Sequence, residues 1–274
     1  MRQYLELVND VLKNGRLRKT DAQGIGNIAV FVRTMRFDLS EGFPLMTTKK
    51  INFKYVLGEL LWFLRGDSRV DFLHENNIPI WDTWATKECC DLYGLEEGDC
   101  GRIYGPQWIH WLCRDGKEIN QIQRLVNGLI NNPDSKRHKV VAYNPEDIDS
   151  VFVAPCHGDF KCFVADGVLD LHLCQRSADV PIGVPFNIPS YAMLLMMLAQ
   201  VTGLKAGELI VTTQDTHIYL NQIEPMKIQM EREPKKLPAL KLNPDIKNIF
   251  EFGLDDFELE GYNPDPFIKI PVGR

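Results

Sequence analysis

The stretch that decides the reading runs from Ala154 to Tyr219. It opens with APCHGDF (154–160), continues through CQRSADVPIGVPFNIPSYAMLL (174–195) and closes with QDTHIYLNQ (214–222). Cys156 and His157 put a thiol and an imidazole side by side at its head. Arg176, Asp179, Asn187 and the group Asp215, His217 and Tyr219 follow. A cysteine near neutral pH is mostly thiol, so nucleophilic work calls for a neighbouring cation or base. Arg176 supplies that charge if its strand lies beside the one carrying Cys156. The pattern allows this, because HGDFKCFVA (157–165) and VLDLHLCQ (168–175) flank Asp166-Gly167, the signature of a tight hairpin. Residues 190–202, SYAMLLMMLAQVT, are apolar all round, as in a central helix buried on every side, with Gly203 as the stop. Strand character returns with ELIVTTQDTHIYL (208–220).

Upstream, residues 2–14 read as a helix with Tyr4, Leu5, Val8, Val11 and Leu12 on one face and Gly15 as the stop. The polar loop RLRKTDAQGIGN (16–27) carries cations that either hold an anion or are simply solvated. Residues 28–39 read as a long strand, and GFPLMTTKK (42–50) as a turn and connector. From residue 52 to 64 runs a strongly apolar helix with Glu59 in its middle. A carboxylate among Leu57, Leu60, Leu61 and Trp62 loses solvation, which raises its pKa and suits a proton carrier. The alternative is a glutamate on the exposed edge of the helix.

Trp81 and Trp84 read as core or pocket-wall residues. Residues 86–101, polar and acidic, read as a surface insertion centred on 86–99, whose cysteines need no functional role. RIYGPQW (102–108) is expected to be strand or turn, with Tyr104 in it. A second amphipathic helix is expected over 117–131, ended by Asn132-Pro133, and DSKRH (134–138) then presents Lys136 and Arg137 on a loop, most simply as solvated cations. KVVAYN (139–144) reads as a strand. The C-terminal third alternates short strands with proline-rich connections, and no internal repeat or low-complexity tract interrupts the chain.

The bulk properties agree with one α+β domain over residues 1–274. Hydrophobic content of 45% and charged content of 25% are those of an ordinary globular chain. A net charge of −6 gives no general attraction to nucleic acid, so none is expected as a partner. No apolar run reads as long enough to span a bilayer, and residues 1–20 lack the apolar centre of a signal peptide. The seven cysteines include no CxxC pair, so no metal site is expected and a reducing, cytoplasmic location fits best. By residue type alone the generic enzyme is a cysteine hydrolase using Cys156 with His217 and Asp215. Against it, the glycine-rich elbow and oxyanion signature of such enzymes are absent.

The strings GFPLMTTKK, GELLWFLRGD, LHENNIPIWD, YGPQW, APCHGDF, QRSAD, PFNIPSYAML and DTHIY carry a resemblance. Through them the chain resembles the thymidylate synthase family from QYLELVNDVL near the start to EGYNPDPFIKIPV at the end. The resemblance implies a large mixed β-sheet flanked by helices, in a symmetric homodimer. It implies transfer of one carbon from 5,10-methylenetetrahydrofolate to C5 of dUMP, giving dTMP and dihydrofolate. The family also includes hydroxymethylases, in which water replaces the folate hydride and tetrahydrofolate is released. A relative that binds nucleotide without turnover is the non-enzyme alternative.

By the same resemblance Cys156 is the thiolate that adds to C6 of uracil, and Arg176 lowers its pKa while contacting the phosphate. Arginine suits both tasks because its fork binds oxyanions bidentately. Glu59 corresponds to a buried carboxylate that manages protons near O4 through water. Asn187 corresponds to the amide that reads the O4/N3–H edge, and an amide that donates to O4 while accepting from N3–H favours uracil over cytosine. Ser177 matches a phosphate contact, His217 and Tyr219 a sugar 3′-hydroxyl contact, and Asp179 the carboxylate meeting the pterin. Ile80, Trp81, Ile182, Phe186 and Val272 are implied to line the folate site, with Lys49 facing its anionic tail. Tyr104 and His157 occupy further active-site positions. Lys136 and Arg137 stand where the family has paired arginines donated by the partner subunit. Three departures stand out: Ala22 where the family has a phosphate-gripping arginine, Gln214 where it has glycine, and a tail ending PVGR. Loss of one charge-assisted phosphate bond costs roughly 1.5–3 kcal/mol, so weaker nucleotide binding or a compensating residue is expected.

Overall fold

A computed structural model describes residues 1–19 and 24–273, so Ala22 and Arg274 lie outside the described residues. The helices are α1 (Arg2–Asn14), α2 (Phe53–Arg65), α3 (Asp71–Glu75), α4 (Lys87–Asp91), α5 (Tyr104–Ile109), α6 (Gln121–Asn131), α7 (Gly183–Thr202) and α8 (Ile223–Met230). The strands are β1 (Arg16–Arg18), β2 (Asn27–Asp38), β3 (Trp111–Leu112), β4 (Glu118–Ile119), β5 (Lys139–Val140) and β6 (Asp159–Ala165). After them come β7 (Val168–Asp179), β8 (Lys205–Tyr219), β9 (Ala239–Leu242) and β10 (Phe257–Glu260).

The main sheet has six strands in the order β1-β2-β8-β7-β6-β5. Its ladders are antiparallel except for β7 with β8, which run parallel. A parallel pair needs a crossover, and α7 provides it. That helix packs against β7, β8, α2 and α6, which is why it is apolar on every side. By length and composition it could cross a membrane, contrary to expectation, but 78% of its apolar window is buried inside the fold. The β6–β7 hairpin forms as expected: Asp166 at φ 50° and Gly167 at φ 73° both take the left-handed conformation that a two-residue turn requires.

Several expectations are corrected. The YGPQW part of RIYGPQW, with Ile109, forms helix α5, whose residues are all buried, so it shows no polar face for a periodicity to reveal. The helix expected over 117–131 begins at Gln121, where Asn120 caps it by accepting from the Gln123 N–H, and Glu118–Ile119 instead pair with β3. Only Lys139–Val140 of KVVAYN are strand. Helix α7 starts at Gly183, seven residues before the expected Ser190, and so takes in Asn187 and Pro189. The segment 86–101 carries α4, and Cys89, Cys90 and Cys100 line a small cavity with Trp81 and Trp84 rather than all facing solvent.

The helices cover one face of the sheet. The other carries Lys161 and Phe163 on β6, His172 and Cys174 on β7, Thr212 and Gln214 on β8, and Thr34 on β2. Phe163 is 61% exposed there. Next to this face the β2–β8 register passes from Phe31↔Asp215 to Arg33↔Thr213, and Val32 between them sits at φ 54°. A β-branched residue there is strained.

Candidate active site

Because β7 and β8 are parallel, their carboxyl ends finish on the same side, with Asp179 in register with His217. The loop holding Cys156 is laced to this end of the sheet, its carbonyl accepting the Arg176 N–H at 2.8 Å and the Ser177 N–H at 3.3 Å. The Cys156 N–H donates to the Tyr104 hydroxyl at 2.9 Å. Arg176 lies as expected: its Nη2 is 3.8 Å from the thiol sulfur and 3.1 Å from the Ala154 carbonyl, and its Nε is 3.2 Å from the Pro155 carbonyl. Burial outweighs Arg176, which pulls the thiol's pKa down as expected. Burial pushes the Cys156 thiol up, and Arg176, Ser177 and Tyr104 pull it down without prevailing. The resting side chain is a thiol, 3.7 Å from the Ala154 carbonyl.

Next to it lies an aromatic chamber. Tyr104 stacks on His157 at 4.4 Å and on Phe63 of α2 at 4.7 Å between ring centroids. His157 is buried with Nδ1 2.9 Å from the Tyr191 hydroxyl, and desolvation pushes its pKa down to about 3. It is therefore neutral and is no acid near neutral pH. Gly158 follows at φ 103°, where a Cβ would stand 2.5 Å from the Ala142 Cβ.

Glu59 faces into α2's packing, not onto an exposed edge. Only 9% of it is accessible, and its Oε1 accepts from Trp81 Nε1 at 2.8 Å. Burial raises its pKa to about 7, the Trp81 bond opposing, so near neutrality it can hold or give a proton. Its charge is felt by the buried hydroxyls of Tyr104 and Tyr191.

On α7, Asn187 is buried and its Oδ1 accepts from Gln175 Nε2 at 3.0 Å. Gln175 also donates to the Ser177 carbonyl at 3.0 Å, so it fixes the Asn187 amide relative to the end of β7. Asp179 accepts from the Ile182 N–H at 3.0 Å and from Gln222 Nε2 at 3.3 Å, and burial raises its pKa. His217 Nδ1 lies 3.2 Å from Asp215 Oδ1, and Arg18 Nη1 lies 2.8 Å from Asp215 Oδ2. Hydrogen bonding from His217, with help from Arg18, holds Asp215 down at about 2. Tyr219 ends the same strand. Among the described residues no histidine is hydrogen-bonded to Cys156, so the Cys–His–Asp hydrolase arrangement does not form.

An open cleft of about 700 Å³ lies alongside, walled by Phe53, Ile182, Phe186, Tyr262, Ile270 and Val272 among others, with Lys49, Lys50 and Lys54 also lining it. The ammonium of Lys49 is turned inward onto the Pro181 carbonyl, and burial lowers its pKa to about 8, leaving exposed Lys50 and Lys54 to meet an anion. Trp81 belongs to the Glu59 chamber, and neither it nor Ile80 lines this cleft. Lys136 and Arg137 are exposed on the loop after α6, and Arg137 lines a separate depression with Trp111, Arg124 and His138. Within one chain they do not join Cys156.

Sequence reasoning did not single out Gln175, Gln222, Tyr191 or Arg18. For Gln175 a signal existed: it continues the inward row Leu171, Leu173 on β7, and a polar residue in such a row must be hydrogen-bonded. No local pattern marks the others.

A nucleophile whose backbone N–H is held by Tyr104 lies beside an aromatic chamber, and Glu59 is a buried carboxyl poised to carry protons. The family model described as Thymidylate synthase matches residues 2–273, and the chain belongs to that family. The activity of the family is folate-dependent one-carbon transfer to dUMP, with methylenetetrahydrofolate as co-substrate. The cleft suits that co-substrate on its own chemistry, having apolar walls for a flat heteroaromatic ring and lysines for an anionic tail. Among the described residues no cluster of three or more His, Cys, Asp or Glu side chains is placed to hold a metal ion.

Proposed function

We propose that this enzyme methylates dUMP to dTMP, releasing dihydrofolate. The carrying observation is the tail: Val272 and Ile270 line the cleft together with Ile182 and Phe186, and the Pro271 carbonyl is held by Gln222 at 2.9 Å. Apolar walls that keep water from the reacting carbon favour hydride over water as the last reactant. Methylenetetrahydrofolate supplies the carbon and the hydride.

The protein's part follows from its geometry. Cys156 adds to C6 of the uracil. Binding of the nucleotide phosphate beside Arg176 organises that guanidinium, which stabilises the thiolate as the proton leaves. Glu59, poised near 7, moves protons at O4 through water. Asn187, held by its oxygen, presents Nδ2 to O4 and a second lone pair to N3–H, a pairing that the cytosine edge does not match. Ser177 and Arg176 hold the phosphate, His217 and Tyr219 the sugar, and Asp179 the pterin. Tyr104 fixes the backbone of Cys156.

The working unit in this proposal is a homodimer. The uncovered sheet face with Phe163 supplies the contact area, and Lys136 and Arg137, exposed on the loop after α6, reach across to the phosphate. The cysteines are all free, which suits a reducing cytoplasm.

The test is to follow dihydrofolate by absorbance while weighing the nucleotide by mass spectrometry. Dihydrofolate formed in step with a gain of CH2 supports methylation. Tetrahydrofolate with a gain of CH2O makes the enzyme a hydroxymethylase, the alternative that Ala22 and the altered tail raise. No product of either kind leaves a nucleotide-binding relative.

A further inference from the structure

Gln222 is completely buried where β8 gives way to α8, and every polar atom of its side chain is engaged. Its Oε1 accepts the Tyr219 N–H at 3.1 Å, and its Nε2 donates to the Pro271 carbonyl at 2.9 Å and to Asp179 Oδ2 at 3.3 Å. One amide thus joins the end of β8, the carboxylate beside the cleft and the C-terminal tail. Beyond Pro271 the chain stays down: the Gly273 backbone lies so close to the Tyr219 ring that a Cβ there would be 2.3 Å from Cε2.

We propose that Gln222 is the positioning residue that latches the tail over the cleft, tying the Pro271 carbonyl to the Asp179 carboxylate through the two hydrogens of one amide. The assignment rests on reading the cleft as the folate site and says what holds its tail wall in place. Both partners are acceptors, so without a donor between them they repel each other and each loses a hydrogen bond. Glutamate in this place would bring a third acceptor, and methionine would fill the space with no donor at all.

Gln222→Glu and Gln222→Met are compared with wild type in two measurements. In kinetics, the folate KM is expected to rise roughly tenfold, the loss of about one buried hydrogen bond, while in Gln222→Glu, which keeps an acceptor for the Tyr219 N–H, the dUMP KM stays within about twofold. In hydrogen-exchange mass spectrometry of the ligand-free protein, the peptide ending in Ile270–Gly273 is expected to exchange roughly tenfold faster, with α7 and the sheet unchanged. The exchange measurement does not depend on turnover, so it reads the latch even if the functional reading fails. Wild-type exchange of the tail in both variants would overturn the proposal, as would equal rises in both KM values in Gln222→Glu. Should one variant not fold, the other decides. In a protein lacking the tail from Pro271 onward, either substitution should leave the folate KM unchanged, and a further rise there would assign Gln222 to Asp179 alone.

Discussion

Replacing Glu59 with glutamine keeps the side chain's size and its acceptor for Trp81 Nε1 while removing its titration. In the folded protein burial raises the carboxyl from the ordinary 4.5 to about 7. Between those values the native state holds the proton and the unfolded chain does not. Wild-type stability therefore falls as pH rises through the window, and the whole penalty is present above it. At about 1.36 kcal/mol per pKa unit the full penalty is ~3 kcal/mol, most of which accrues between about pH 5 and pH 8. The buried amide brings its own cost, but that cost does not vary with pH and drops out when the two proteins are compared across the range. Urea unfolding at one protein concentration should show Glu59→Gln gaining about 2–3 kcal/mol on wild type from about pH 5 to pH 8. Turnover should fall by roughly 10²–10⁴-fold, as for loss of a general acid–base group. A stability difference that stays flat with pH would refute the reasoning, because Glu59 would then titrate as a solvated carboxyl.

Cys156→Ala should abolish turnover and leave the thermal transition near that of wild type, and 5-fluoro-dUMP with folate should trap a covalent adduct on Cys156 of the wild type. An adduct mapped by mass spectrometry to another cysteine would remove it as the nucleophile. Val32→Gly should relieve about 1–3 kcal/mol of backbone strain against about 0.5–1 kcal/mol of added chain entropy, for a net gain of ~1 kcal/mol. Calorimetry should then find a melting midpoint higher by about 2–4 °C, and a lower one would mean that interactions of the valine side chain outweigh the strain. Mixing Arg176→Ala with Arg137→Ala subunits should restore part of the activity, because one of the two hybrid sites carries neither change. No recovery, with hybrids verified by native mass spectrometry, would keep Arg137 out of the neighbouring site.

Some of this protein is legible from its residues in order. Helix α1, the body of α2, the buried run of α7 and the Asp166-Gly167 turn depend on neighbours within a turn or a hairpin, so their patterns survive in the sequence. The residue types of the site are legible too, and the family's strings place Cys156, Arg176 and Asn187. Helix α5 is not, because a segment buried on all sides loses the polar face that would give it a period. Nor is the start of α7, where Pro185 and Pro189 argue locally against the helix that packing on the sheet enforces. The parallel pairing of β7 with β8, which sets Asp179 beside His217, joins segments far apart in the chain and leaves no local mark. Ionisation lies beyond the sequence for the same reason. Arg176 near Cys156 predicts a thiolate, yet whether burial or the guanidinium prevails depends on how much water the fold removes from the sulfur. Glu59 between Leu57-Gly58 and Leu60-Leu61 could have faced solvent, and only the packing of α2 against Trp81 and the aromatic chamber makes it a carboxyl that titrates near 7.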